Sequence, residues 1–406
     1  MLNKDNIREL AYVVTIDNIT PIEGYDRVEL AHVSGWTIVV GKGEFKAGDP
    51  AIYFEIDSKL PEVKPFTNME FLAKKKYKVK TQRMCKCISQ GLLMSAANFG
   101  WRIVEGGNYA IVDDKGNYHR VDEESRFLTK QLGVTYNDPA DNTRKGASAD
   151  KYKKMAQRNG KLFSHQPFRW LMKKTWGRKL LFIFFGKKKD KRNWPEWVQK
   201  TDEERVQNMP WILNDKSEWI ATEKIDGSST TFTIKRGKGF KNNEFFVCSR
   251  NVVFDKPDKK CYYETNIYTE MAEKYHMEEV LTKLLEKFPC ADWITIQGET
   301  YGAGIQKRDY SMKDHDFMAF NLIMSHTGRW DTITMKNELT NNFNIPCVPI
   351  LDEHFILPDT VEELLTYATN FSTIDGGMRE GVVFRDKDGI KSFKAVSNEF
   401  LLKYHQ

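Results

Sequence analysis

The stretch EWIATEKIDGSSTTFTIK, residues 218–235, decides how the rest of the chain is read. Two runs rich in apolar and β-branched residues, Glu218 to Lys224 and Ser229 to Lys235, flank a tight turn around Asp226-Gly227. Such runs favour pleated strands, and glycine supplies the turn. The pattern predicts paired strands with Lys224 at the end of the first. A lysine there can be held near a ligand while Gly227 lets the backbone approach it closely. To act as a nucleophile its amine must lose a proton, against an ordinary pKa of about 10.4. Burial or a nearby cation has to lower that value. Alone, Lys-x-Asp-Gly also describes a surface β-turn.

The stretch does not stand alone. Ser249-Arg250-Asn251 follows, then Gln297-Gly298-Glu299 with Gly302 to Lys307, then Asp316-Phe317-Met318-Ala319-Phe320. Near the end come Glu380-Gly381-Val382-Val383-Phe384-Arg385 and Lys391-Ser392-Phe393-Lys394. This ordered series resembles the motifs of the covalent nucleotidyltransferases, which comprise polynucleotide ligases and messenger-RNA capping enzymes. Upstream, Ile19 to Ala31, Gly41 to Asp49, Ile56 to Glu62 and Ser89-Gln90-Gly91-Leu92 are similar to the N-terminal OB module of one RNA ligase clade. Lys200 to Asn208, just before the lysine stretch, resembles the same clade. The chain is identified on these residues as an ATP-dependent RNA ligase. DNA ligases and capping enzymes usually carry their OB domain after the catalytic domain, whereas only twelve residues follow Lys394 here.

The fold expected is α+β: an N-terminal OB-type β-barrel, then a nucleotidyltransferase domain of antiparallel sheets with flanking helices. Short runs at Ala11 to Asp17, Val28 to Val33, Trp36 to Val40 and Ala51 to Ile56, with Gly-rich turns between them, predict the barrel. Lys74 to Lys86 reads as a basic strand, and Trp101 to Val112 and Tyr118 to Val121 as further ones. Later strands are expected at Phe245 to Ser249, Trp293 to Glu299, Phe317 to Ile323 and Gly381 to Arg385. Apolar spacing predicts helices at Thr269 to Phe288 and Val361 to Ala368. The domains expected are 1–136 as an OB-fold RNA-binding module, 137–193 as a basic, aromatic-rich insertion, and 194–406 as the ligase domain.

The resemblance implies roles. Lys224 would attack the α-phosphorus of ATP and hold AMP as a phosphoramidate. Asp226, Glu299 and Glu380 would hold a hydrated magnesium (or manganese) ion or its waters, with Glu299 alternatively on the ribose. Magnesium prefers oxygen ligands and keeps several waters. Arg250 would contact the ribose or a phosphate, Phe320 would stack on adenine, and Glu223 would meet the adenine edge through its backbone. Lys394 would stabilise charge developing on the triphosphate. The closing motif is often Lys-x-Lys, yet residue 392 is serine. Lys391 is displaced by one residue and, on strand alternation, points away from Lys394. Arg205 and Gln207 are further candidates near the nucleotide or its phosphates.

Composition bounds the rest. The 406 residues are 40% hydrophobic and 29% charged, enough for a substantial core and against wholesale disorder. The longest apolar run, Leu180 to Phe185, is far too short to span a bilayer, and the polar start argues against a secretory leader. A cytoplasmic location is expected. Six cysteines, with only a lone Cys85-x-Cys87, read as reduced thiols rather than a disulfide or zinc framework. Fifteen of the 62 basic residues, but one of the 56 acidic ones, fall between Lys151 and Arg192, so the remainder is mildly acidic. That basic segment, interleaved with aromatics, suits single-stranded nucleic acid, an anionic membrane, a clamp on the neighbouring domain or a solvated insertion. Partners expected are RNA and ATP, with a monomer sufficient for the chemistry. The competing reading is an OB-containing RNA-binding protein whose nucleotidyltransferase domain is inactive.

Overall fold

The computed structural model describes residues 1–3, 5, 7–104, 110–113, 115–120, 127–136, 165–185, 194–237, 239, 242–254 and 266–404. Met1–Tyr136 and Glu196–Gln406 form one compact unit, and Asn137–Pro195 another.

The N-terminal part of the first unit is antiparallel β. Ala11–Thr15 pairs with Pro50–Phe54, which pairs with Leu92–Met94. Asn18–Ile22, Tyr25–Val33 and Trp36–Gly41 form a meander. Trp36–Gly41 alternates buried and half-buried residues, the period-two signature of a strand with one face on a core. Ala11–Thr15 is buried on both faces: Tyr12 and Val14 join one apolar cluster, Ala11 and Val13 another.

The basic strand expected over Lys74 to Lys86 is corrected by the structure. Lys74 closes a short helix, Glu70–Lys74, and Lys76 and Tyr77 turn with positive φ. Only Thr81–Met84 is extended; it forms a hairpin with Cys87–Gln90 around Cys85 and Lys86, both at positive φ. Two such residues make the tight turn whose twist matches a hairpin, so Cys85 and Cys87 bracket a turn. The described cysteines are all free thiols.

The C-terminal part holds two antiparallel sheets. The six-stranded one runs Val253–Phe254, Glu244–Ser249, Ser228–Lys235, Trp293–Gly302, His315–Met324, Gly328–Arg329. The four-stranded one runs Ile350–Ile356, Glu218–Lys224, Gly381–Asp386, Ser392–Val396. The two strands expected to pair around Gly227 therefore lie in different sheets. Both already have neighbours on each edge, and the link between them passes through the interior, with Ile225 and Asp226 buried. The single helix expected over Thr269 to Phe288 is two, Ile267–Lys274 and Met277–Lys287, broken by His276 in the left-handed region. Their apolar residues, Met271, Met277, Leu281 and Leu284, cover one face of the six-stranded sheet against Phe232, Ile294, Ile296 and Phe317. Each fully buried leucine of this kind contributes about 1.5–3 kcal/mol. Val361–Ala368 is helical as expected and carries a capping box at Thr360 and Glu363.

Strand alternation then sends Thr295, Gln297 and Glu299 to the opposite face of that sheet. The segment Glu196–Glu203 crosses it: the Trp197 indole donates to the Thr233 hydroxyl (3.0 Å), and the Gln297 amide donates to the Gln199 carbonyl (2.8 Å). The N-terminal part is tied to the rest by the Leu2 amide on the Asn208 carbonyl (2.7 Å), the Gln207 amide on the Gly35 carbonyl (3.4 Å) and Arg205, 5.7 Å above the Trp36 ring.

In the second unit, helices Gln166–Lys173 and Thr175–Phe185 bury Leu181 against Phe168, Leu171, Met172 and Phe185. Trp170, Trp176 and Phe184 are exposed. Residues 137–164 and 186–193 of the expected insertion lie outside the described residues.

Candidate active site

A cavity of about 440 Å³ opens where the link between the sheets turns. Lys224, Asp226, Gly227, Arg250, Glu299, Phe320, Glu380, Lys394 and Arg205 all line it, and Glu223 reaches it as well. These residues come from stretches that are far apart in the sequence. Lys224 ends its strand opposite Gly381, so Glu380 lies beside it, with its Oε2 2.7 Å from the Lys224 Nζ. The Asp226 backbone N–H donates to the Tyr310 hydroxyl at 2.7 Å, which anchors the turn. The Gln306 amide donates to the Gly227 carbonyl at 2.8 Å.

Gly227 is required here by close approach. A Cβ would stand 2.3 Å from the Thr300 carbonyl oxygen and 2.9 Å from Glu299 Cγ. Gly227→Ala should therefore cost about 1–3 kcal/mol of stability through overpacking and displace Glu299. Thermal unfolding and self-modification by nucleotide would both register it; an unchanged melting temperature would disprove the steric reading.

Phe320, like Met318, alternates onto the pocket face, and a β-bulge between its strand and Trp293–Gly302 follows there. Phe317 and Ala319 before the bulge, and Leu322 and Met324 after it, face the helices. Phe320 lies against Ile225, Tyr301, Tyr310 and Val348. The Arg385 guanidinium stands 5.9 Å from the Phe320 ring.

The electrostatics are those of an acidic cluster neutralised by lysines. Burial alone would lower the Lys224 pKa, but Glu380, then Glu299, and Asp226 hold it above the ordinary lysine value. Burial pushes Glu299 up to about 8, against the pull of Lys224. Burial brings Lys394 down to about 8, with Lys224 and Arg205 adding repulsion. Arg205 is lowered by burial, and its enclosed Nη1 has no hydrogen-bond partner. A buried guanidinium nitrogen without an acceptor, beside two lysines, is a place for an anion.

Two expectations, Lys391 and Gln207, need correcting. Lys391 is outside the cavity: its exposed ammonium pairs with Asp215 at 2.7 Å, since alternation turns it away from Lys394. Gln207 is also outside, buried and bonded to Gly35 at the junction with the N-terminal part. The Glu223 carboxylate points away from the cavity and accepts from the Thr373 N–H (2.8 Å) and hydroxyl (2.7 Å) and from the Ser372 hydroxyl. Arg250 sits exposed at the mouth, paired with Asp202. Ser392, where a lysine is common, bonds Glu203 and accepts from Arg329 at 3.2 Å, so a guanidinium stands beside that position.

Asp226, Glu299 and Glu380 form no direct metal cage: among the described residues no three carboxylate, histidine or cysteine side chains stand close enough to hold an ion together. Their charges still converge on Lys224. An all-oxygen donor set of this kind fits a hydrated divalent cation held through its waters.

Arg385 and Glu203 were not legible as site residues. Both line the cavity, and Arg385 donates to Glu203 at 3.4 Å. Alternation from Val383 was the available signal for Arg385. Glu203 lies inside the Lys200–Asn208 stretch, but nothing there singles it out from its neighbours.

A lysine at a strand end between two antiparallel sheets, ringed by carboxylates and faced by a closing lysine, defines a nucleotidyltransferase of the ligase class. Residues 217–405 match the RNA ligase family and residues 10–96 an OB-fold domain. The C-terminal part of the chain is thus an RNA ligase domain, and an OB-fold domain precedes it. The solved structures it is similar to include Naegleria gruberi RNA ligase with pyrophosphate, at 28% identity over 98% of this chain and 99% of that one, TM-score 0.61. A glutamate-to-alanine variant of that ligase with ATP and manganese matches at 27% identity over 98% and 100%, TM-score 0.63. A lysine-to-methionine variant with AMP and manganese matches at 28% over 98% and 99%, TM-score 0.62. No curated protein matches. No helix among the described residues is long and apolar enough to cross a membrane.

Proposed function

We propose that this enzyme joins RNA 3′-hydroxyl and 5′-phosphate ends with ATP, through AMP carried on Lys224, and serves RNA repair. The observation that carries the reading is the Lys224–Glu380 contact of 2.7 Å in a cavity that also holds Phe320, Arg205 and Lys394. The similarity to a ligase solved with ATP, AMP and pyrophosphate supports it. RNA binding by residues 1–136 and action as a cytoplasmic monomer belong to the same proposal.

The chemistry follows from the placement of groups. Lys224 must give up a proton before its Nζ can attack, and the Glu380 carboxylate is within reach to take it. The neutral amine forms a bond to the α-phosphorus as the bond to pyrophosphate breaks. Phe320 offers a face for the adenine, while Arg205 and Lys394 lie where the departing phosphates gather charge. Magnesium or manganese, when bound, supplies positive charge that favours the neutral amine, and Asp226, Glu299 and Glu380 are the residues that would hold it through its waters. AMP then passes to the RNA 5′-phosphate, and the 3′-hydroxyl displaces it. Each step exchanges one leaving group on phosphorus for another, so positioning and charge stabilisation dominate.

Lys394 gives this scheme a pH signature. With its pKa near 8, it is charged below that value and loses its charge above it. The KM for ATP in self-adenylylation should rise about tenfold as the pH climbs past that point, the worth of one charge-assisted contact. Lys394→Arg should flatten the rise, because arginine stays protonated. A wild-type KM indifferent to pH over this range would remove Lys394 from the phosphate site.

A further inference from the structure

A second cavity, about 940 Å³, lies on the polar face of the six-stranded sheet and shares the wall Thr201-Asp202-Glu203 with the first. Its floor includes Asn321, which is only 5% exposed. The orientation of that amide follows from its neighbours. Gln297 spends its Nε2 on the Gln199 carbonyl (2.8 Å), so its Oε1 faces Asn321 and accepts from the Asn321 Nδ2 at 3.0 Å. The Asn321 Oδ1 is left buried with no hydrogen-bond partner. An unpaired buried acceptor is costly, and a ligand donor relieves it. Two half-buried indoles, Trp197 and Trp293, line the same cavity.

We infer that this cavity takes a nucleobase of the RNA strand being joined, with an exocyclic amine donating to the Asn321 Oδ1 and the ring lying against an indole. An amine donor is what the amide oxygen lacks, and indole faces stack on bases irrespective of sequence. The lining charges are mixed, with Glu196, Asp202, Glu203 and Asp388 beside Lys200 and Arg329, which suits a neutral ring better than a phosphate. The shared wall places the base next to the nucleotide cavity. The choice of RNA as ligand rests on the ligase reading; the acceptor and the indoles stand without it.

The test is fluorescence anisotropy with short labelled RNA strands ending in a 3′-hydroxyl. Adenosine is replaced at each terminal position in turn by purine riboside, which lacks only the exocyclic amine. Binding should weaken about tenfold at one position, the worth of one buried hydrogen bond. Asn321→Leu should erase that discrimination, and Asn321→Ser, which keeps an acceptor, should retain part of it. Equal binding at every position by the wild-type protein overturns the inference, whatever the variants do. So does a loss that follows removal of the 2′-hydroxyl instead of the amine, or discrimination that survives in Asn321→Leu. Labelling by α-labelled ATP is read separately. Its absence with base discrimination intact counts against the ligase mechanism alone, and its presence without discrimination counts against this cavity alone.

Discussion

Lys224→Ala should carry no label after incubation with α-labelled ATP and a divalent cation, where the wild-type chain retains label through denaturing electrophoresis. Among the described residues the other lysine of the cavity is Lys394, on the strand Ser392–Val396, which the proposed scheme assigns to phosphate charge instead. Sealing of RNA ends should fall by at least ~10⁴-fold, the order seen when a covalent nucleophile is removed. RNA affinity should change less than about twofold, because one cavity lysine adds little to a phosphate footprint spread over a large surface. Sealing that survived Lys224→Ala would rule out the covalent route. Wild-type protein that never takes label would favour an RNA-binding role with an inactive catalytic domain.

Glu380→Gln should slow self-adenylylation by roughly 100-fold or more, the usual range for removing a general base. Glutamine keeps the shape but neither accepts the proton nor offsets the ammonium 2.7 Å away. The same change has a second readout that a purely structural role would not produce. Glu380 is foremost among the groups that hold the Lys224 pKa above its ordinary value, so its loss must move that pKa down. Acylation of Lys224, followed by mass spectrometry across a pH series, should therefore begin at lower pH in Glu380→Gln. An unchanged titration of Lys224 would mean that the ion pair is not formed in solution.

Much of the site was legible because each part of it is a short local pattern. Lys224, Asp226, Glu299, Phe320, Glu380 and Lys394 lie in five brief motifs, and the structure gathers all of them into one cavity. Alternation was enough to separate Lys394 from Lys391, since the rule acts between adjacent residues. It would have failed for Asn321. Counted from Phe317, that residue belongs on the helix-covered face, yet the bulge at Phe320 reverses the parity and puts Asn321 on the polar one. Gln207 misled for a related reason. Its neighbour Arg205 lines the cavity, but nothing local shows that Gln207 is taken up by Gly35, 172 residues away.

The sequence by itself determined the element types in most of the chain, the candidate lysine and its carboxylates, and the class of fold. Those features depend on residue type and on spacings of a few positions, which neighbouring residues carry. Only the tertiary structure decided that Glu218–Lys224 and Ser228–Lys235 belong to different sheets, and that Lys74 to Lys86 divides into helix, turn and hairpin. It also decided that Arg329 stands beside Ser392 and that Arg205 lies over Trp36. Sheet membership, register and buried ion pairs are settled by which distant surfaces can be buried together. No window of a few residues contains that information.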